Sequence, residues 1–247
     1  MKSLPQILAV LTLTTSLSFS AQAALTDAEA MAEGMTLVEE VLKSNLSILA
    51  NNPLKHEIED VIQQNGLVVL INKRATGEHA QTLKVYENGV EVLNTKVSTG
   101  REKTENSTSG RTYLSITPKG FFRPTKVYTD YMSYTWNAPM PNAVFFIGGI
   151  AIHAAAKSAY TNLGTRASGG CVRTTLEDSK AIREKIMDSG RGALAGMFKV
   201  LAEARGRNRV ENNTVSVPQL NRSTGAHLKT SIQSWDTVII VHDQVGI

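Results

Sequence analysis

The chain contains one cysteine, Cys171, within the segment TNLGTRASGGCVRTT that runs from Thr161 to Thr175. A cysteine nucleophile requires a base to take its proton, donors for the developing oxyanion and a means of holding substrate. Ser168, Gly169 and Gly170 precede the thiol, and in a tight turn their backbone N–H groups, with that of Cys171, could converge on one oxygen. Glycine permits the dihedrals of such a turn and the close approach of a substrate. The candidate base is His153, which ends the apolar run FFIGGIAIH where a strand meets loops. Of the other histidines, His56 and His79 lie in polar segments and read as solvent-exposed, His227 lies in an irregular region, and His242 follows the last strand as a core or edge residue. Most lone cysteines are small buried hydrophobes. Cys171, however, has Val172 as its only apolar neighbour in sequence, so little burial is expected. One cysteine and scattered histidines offer no metal-ligand spacing, and neither a metal nor another cofactor is expected.

The setting sharpens the question of the thiol. The N-terminal stretch carries Lys2, an apolar run from Ile7 to Phe19, and then Ala21-Gln22-Ala23. This is the layout of a cleavable secretory signal over residues 1–23, and it predicts export to the periplasm or another part of the cell envelope. The run is too short and too rich in Ser and Thr to span a bilayer, so no stable membrane anchor is expected after cleavage. Exported proteins usually pair their cysteines, and a single unpaired thiol there reads as reactive or as intermolecularly paired. The formal net charge is +4 and the pI about 9.1. That mild basicity suits an anionic wall or membrane surface and is too weak to argue for nucleic acid.

The elements that must position these residues are mainly strands. Residues 24–65 read as a helical extension: apolar residues from Leu37 to Leu49 recur every three to four positions, Asn51-Asn52-Pro53 breaks the helix, and a second short helix ends at Gly66. Thereafter LVVLIN (67–72) is a strand. Alternating runs flank Asn88-Gly89, the strongest short hairpin signal, and RTYLSITPKGFF supplies another strand and a turn. NAVFFIGGIAIHAAA reads as one nearly continuous strand with a bulge or close approach at Gly148-Gly149. LEDSKAIREKIMDSG is a helix starting near Thr175 or Leu176, and DTVIIVHD is the last buried strand. Residues 191–235 fit no tidy element and carry seven basic residues against two acidic ones, so they read as a basic insertion before that strand. The expected fold class is mainly β with flanking helices, one domain over residues 66–247.

The stretch IHAAAKSAYTNLGTRASGGCVR resembles the signature of the YkuD-type L,D-transpeptidases: a histidine, a spacer, then Ser-His-Gly-Cys, a hydrophobic residue and Arg. The likeness extends over roughly Leu67 to Asp243. It departs at Gly169, where the pattern has a second histidine, and at Ala154, where Gly or Ser is usual. The resemblance implies a β-sandwich catalytic domain acting on peptidoglycan stem peptides. In it Cys171 is the nucleophile that forms a thioester, His153 the base, and Gly169 and Gly170 contribute to the oxyanion site. Ser168 and Arg173 are substrate-binding positions, with Arg173 fixing a carboxylate or bracing the loop. Tyr134 and Trp136 are groove-lining candidates from a segment that also offers Tyr128, Tyr131 and Met140. The implied reaction is formation of 3-3 crosslinks or exchange of the terminal D-amino acid. The same site in other hands would serve an L,D-carboxypeptidase, a hydrolase detaching a wall-attached protein, or, given the two departures, a non-catalytic peptidoglycan-binding protein.

Overall fold

The computed structural model describes residues 53–106, 112–133, 136–190, 214–220 and 227–247, the last two segments as backbone alone up to residue 233. The proposed signal segment, most of the N-terminal extension, Tyr134 and residues 191–213 of the insertion lie outside the described residues. Helix α1 (Lys55–Gln64) comes first, followed by β1 (Leu67–Asn72), β2 (Thr82–Glu87), β3 (Val90–Lys96), β4 (Thr104–Asn106), β5 (Thr112–Leu114) and β6 (Gly120–Phe122). Then come β7 (Lys126–Val127), β8 (Met132–Ser133), β9 (Ala138–Pro139), β10 (Val144–Ile147), β11 (Ile150–Ala154) and β12 (Val172–Thr174). Helix α2 (Leu176–Asp188), β13 (Thr214–Leu220), β14 (His227–Gln233) and β15 (Val238–His242) close the chain.

Two sheets carry the architecture: a five-stranded sheet in the order β3-β2-β1-β15-β6 and a four-stranded sheet in the order β12-β11-β10-β7. The central strands β1 and β15 run parallel, with Val68 opposite Val238 and Asn72 opposite His242. Both are buried throughout because both faces of their sheet are covered. Alternate side chains take opposite sides. Leu67, Val69, Ile71, Ile239 and Val241 face the space between the sheets and meet Val144, Phe146, Ile152 and Val172 of the second sheet. Val68, Leu70, Val238 and Ile240 face outward and are covered by Ile58, Val61 and Ile62 of α1. Glu57 starts that helix by accepting the Leu54 N–H at 3.0 Å. The mainly β class with few helices is therefore the observed one.

The Asn88-Gly89 signal forms the β2–β3 hairpin turn, with φ of 50° and 82° at the two residues, the positive pair a two-residue primed turn requires. Two expectations are corrected. The run from Val144 to Ala154 is two antiparallel strands rather than one: Gly148, at φ 51°, and Gly149 turn the chain back on itself. A continuous apolar run conceals such a turn because both arms are covered by other elements, so no polar residue marks the break. The second half of the proposed insertion forms a regular β13–β14 hairpin, in which Thr214 pairs with Gln233 and Leu220 with His227. Its Thr, Ser, Val and Ile content supports strands even though Pro218 interrupts β13.

Candidate active site

Cys171 lies one residue before β12, which pairs in parallel with β11 so that Ile152 faces Val172 and His153 faces Arg173. Continuing that register places Cys171 beside Ala151. Residues two apart share a face, so Cys171, Arg173 and His153 stand together on the outer face of the four-stranded sheet. Val172 and Ile152 point into the core on the other face. The strand cannot slip without exchanging these two sets. Immediately beyond it Thr175 caps α2, its Oγ1 accepting the Asp178 N–H at 3.1 Å, and α2 anchors itself in the core through Ile182 and Ile186. On the other flank Ser98 exchanges both backbone hydrogen bonds with Arg173, at 2.8 and 2.9 Å.

The face opens into a cavity of about 410 Å³, in the usual range for ligand sites. Cys171, His153, Arg173, Gly169 and Gly170 line it together with Trp136, Met140, Ile116, Ile150 and Arg101. Among the described residues no Asp or Glu is in the lining. Arg101 is held in place: Nε donates to Glu105 Oε1 at 2.6 Å and Nη1 to the Ala167 carbonyl at 2.7 Å. Glu105 also accepts from the Tyr113 hydroxyl, and the Tyr113 ring packs edge-on against Trp136 with centroids 5.2 Å apart. These contacts hold the Glu105 carboxyl down to about 2, chiefly through the Arg101 hydrogen bond. The Arg173 guanidinium, by contrast, makes no side-chain hydrogen bond or ion pair with any of the described residues. Among the described residues no three His, Cys, Asp or Glu side chains gather where they could hold a metal ion.

The thiol sits deeper than its polar neighbours in sequence suggest. Cys171 is half-buried and packs against a cluster of Met140, Ala143, Phe145 and Ala151, all twenty or more residues upstream. Its Sγ lies 3.8 Å from the Gly149 carbonyl. Burial raises the thiol pKa, against smaller opposing effects from a backbone hydrogen bond at Ala151 and from Arg173. His153 is buried, and its pKa is lowered to about 4, first by burial and then by the Arg173 charge. Its Nδ1 lies 2.8 Å from the Ala154 carbonyl. A carbonyl only accepts, so Nδ1 carries the proton and Nε2 keeps its lone pair. The resting pair is accordingly a neutral thiol beside a neutral imidazole.

Other expected site residues are placed as follows. Ser168 is fully buried and takes no part in the cavity lining: its hydroxyl donates to the Cys171 carbonyl and accepts the Gly170 N–H at 3.0 Å. It braces the loop, which corrects its reading as a substrate-binding residue. Because the Gly170 N–H is committed to Ser168, the candidate oxyanion donors narrow to the N–H groups of Gly169 and Cys171. Gly170 itself is required by space: it has φ 140°, and a Cβ would sit 2.9 Å from the Ile116 carbonyl oxygen. Gly169 has room, since a Cβ would meet Trp136 only at 3.5 Å. Trp136 and Met140 line the cavity, whereas Tyr128 and Tyr131 pack on each other and on Phe145. His56 and His79 are exposed, and His242 is fully buried at the end of β15. Arg101 and the strip Ser115–Thr117 were not singled out in the sequence. Their one local signal is Gly100, where a Cβ would stand 2.5 Å from the Ser115 carbonyl oxygen.

In a comparison against known families, the family model of the L,D-transpeptidase catalytic domain, YkuD, matches residues 68–216. The chain belongs to that family. Among solved structures it is similar to an L,D-transpeptidase from Xylanimonas cellulosilytica, at 20% identity and TM-score 0.44 over 72% of this chain and 61% of that one. An L,D-transpeptidase from Mycobacterium smegmatis is similar at 12% identity and TM-score 0.41, over 72% of this chain and 58% of that one. One from Stackebrandtia nassauensis is similar at 23% identity and TM-score 0.36, over 49% of this chain and 50% of that one. The chain thus spans about three fifths or less of these structures, and the family assignment rests on the matched catalytic-domain model. No curated protein sequence matches this chain.

Proposed function

We propose that this protein is an exported cysteine L,D-transpeptidase acting on peptidoglycan stem peptides. The observation that carries the reading is the shared face of β11 and the β12 end of the glycine turn, which presents Cys171, a proton-accepting His153 and an Arg173 guanidinium without a side-chain partner among the described residues to one largely apolar cavity. The thiol sulfur attacks the carbonyl of the L-centre of the diamino acid at position three while His153 Nε2 takes the thiol proton. The carbonyl π pair moves to oxygen, and backbone N–H groups of the glycine turn hold that oxyanion. As the carbonyl re-forms, the C–N bond breaks and the imidazolium returns the proton to the departing D-alanine amine, leaving a thioester on Cys171. The amine of a second stem attacks the thioester, its proton passes through His153 to the leaving sulfur, and a 3-3 crosslink results. A second D-amino acid in the acceptor role gives exchange. Arg173, whose guanidinium has no side-chain partner among the described residues and faces a cavity with no carboxylate among its described lining residues, is suited to hold a stem-peptide carboxylate through a bidentate fork. Export rests on the N-terminal layout of Lys2, the apolar run and Ala21-Gln22-Ala23.

The test is to incubate the purified protein with disaccharide tetrapeptide and analyse the products by mass spectrometry. Crosslinked dimer, or incorporation of an added D-amino acid, is the expected result. Tripeptide without dimer would convert the reading to an L,D-carboxypeptidase. Unchanged tetrapeptide with bound peptidoglycan would convert it to a binding protein.

A further inference from the structure

A buried hydroxyl holds the peptide that joins Gly170 to the nucleophile. Thr117 is fully buried, its Oγ1 donates to the Gly170 carbonyl at 2.6 Å, and the same oxygen accepts the Gly100 N–H at 2.9 Å. Both bonds use the hydroxyl in one orientation, so it has no rotational freedom left. The Thr117 backbone is fixed in turn: its carbonyl accepts from Lys73 Nζ at 2.6 Å. Lys73 is itself buried and ion-paired with Glu102, which also takes Arg166 Nη1 at 2.6 Å, while Arg166 Nε donates to the Lys73 carbonyl at 2.9 Å. Burial lowers the Lys73 pKa against the opposing pull of Glu102. A buried ammonium is retained at a cost unless its partners satisfy it, and here one of those partners is the Thr117 carbonyl. Gly100 and Gly170 both press on this strip so closely that neither can carry a side chain, their Cβ positions lying 2.5 Å from the Ser115 oxygen and 2.9 Å from the Ile116 oxygen.

We infer that Thr117 is a positioning residue that aims the Cys171 N–H at the oxyanion, an inference that rests on the thioester chemistry proposed above. The peptide unit is planar and trans, so the Gly170 carbonyl and the Cys171 N–H lie in one plane and point in opposite directions. Pinning the carbonyl oxygen on Thr117 therefore sets the direction of the N–H. The next peptide plane is pinned likewise, its Cys171 carbonyl held by the Ser168 hydroxyl. Among the described residues the Cys171 N–H makes none of the loop hydrogen bonds, which leaves it for the oxyanion. When the S–C bond forms and the π pair moves to the carbonyl oxygen, a donor already aimed there stabilises the charge without reorganising. Gly170, at φ 140°, has more backbone freedom than any other residue type, and without an external anchor its peptide could rotate.

The experiment compares two reactions of the same thiol. Acylation by a carbapenem proceeds through an oxyanion, whereas alkylation by iodoacetamide displaces iodide from a saturated carbon and forms none. In the purified protein Thr117→Val keeps the shape of the side chain and removes the hydroxyl. Its acylation rate should fall about tenfold to a hundredfold, somewhat less than the loss of a whole oxyanion donor, while its alkylation rate stays near wild type. Thr117→Ser, which keeps the hydroxyl, should restore the wild-type ratio of the two rates. Thr117→Ala carries the same expectation as the valine variant and decides the matter if valine prevents folding. Hydroxyl-free variants with the wild-type ratio would overturn the clamp alone. A wild-type protein that is alkylated but never acylated, by carbapenem or by tetrapeptide, would overturn the transferase reading and the clamp with it.

Discussion

Acid should inhibit this enzyme far later than an ordinary histidine base would allow. Burial and the neighbouring Arg173 lower His153 from the usual 6.5 to about 4. At pH 5.5 an unperturbed imidazole is about nine-tenths protonated and useless as a base, whereas one with a pKa near 4 is protonated only to about 3%. The rate of thioester formation at pH 5.5 should therefore stay close to its value at pH 7, where the unperturbed case loses about tenfold. The raised thiol pKa points the same way, since both members of the pair then keep their resting protonation across the interval. The assay is single-turnover acylation of Cys171 by a carbapenem between pH 4.5 and 8, followed as mass gain on the intact protein. Arg173→Gln removes the second-largest cause of the shift, so its acid limb should move towards neutrality. A wild-type rate that halves near pH 6.5 would refute the neutral-pair argument, and an unmoved limb in Arg173→Gln would refute the part assigned to the guanidinium.

Further outcomes follow from the same geometry. Cys171→Ala should abolish thioester formation and Cys171→Ser should nearly do so, because a hydroxyl is far harder to ionise. His153→Ala should fold but lose about two to four orders of magnitude in rate, the reach of general acid–base catalysis, with His56→Ala and His79→Ala near wild type in tetrapeptide turnover. Gly170→Ala should lower the thermal midpoint and slow acylation, since its Cβ would strike backbone at a positive φ, whereas Gly169→Ala should leave the midpoint unchanged. Folding stability should fall on acidification. His153 and His242 are both lowered to about 4, so between 6.5 and 4 the unfolded chain binds more protons. Each contributes about 3 kcal/mol that is fully present above 6.5 and lost as pH falls to 4. Denaturant midpoints at pH 4.5 and 7 should show this difference, and His242→Gln should reduce it.

Part of this protein was legible in its residues alone. Backbone-local signals translate directly: the Asn88-Gly89 turn, the helix that begins after Thr175, and the apolar runs of β1 and β15 need only short-range sterics and periodicity. The same holds for the chemistry of the nucleophile, because a lone thiol in a glycine turn and a histidine at a strand end are conspicuous by type. What the sequence could not specify is whatever depends on atoms far apart along the chain. The burial of Cys171 comes from Met140, Phe145 and Ala151, and its neighbours in sequence say nothing of them. Ser168 became an internal brace because two backbone groups of its own turn took up its hydroxyl. The doubling-back at Gly148-Gly149 was hidden because burial on both arms erased the polar punctuation of a turn. Thr117, 53 residues from Gly170, left no mark in the sequence at all. Its hydroxyl matters only because the folded chain brings it within reach of the Gly170 carbonyl beside the nucleophile, and a hydrogen bond depends on distance and angle in space rather than on separation along the chain.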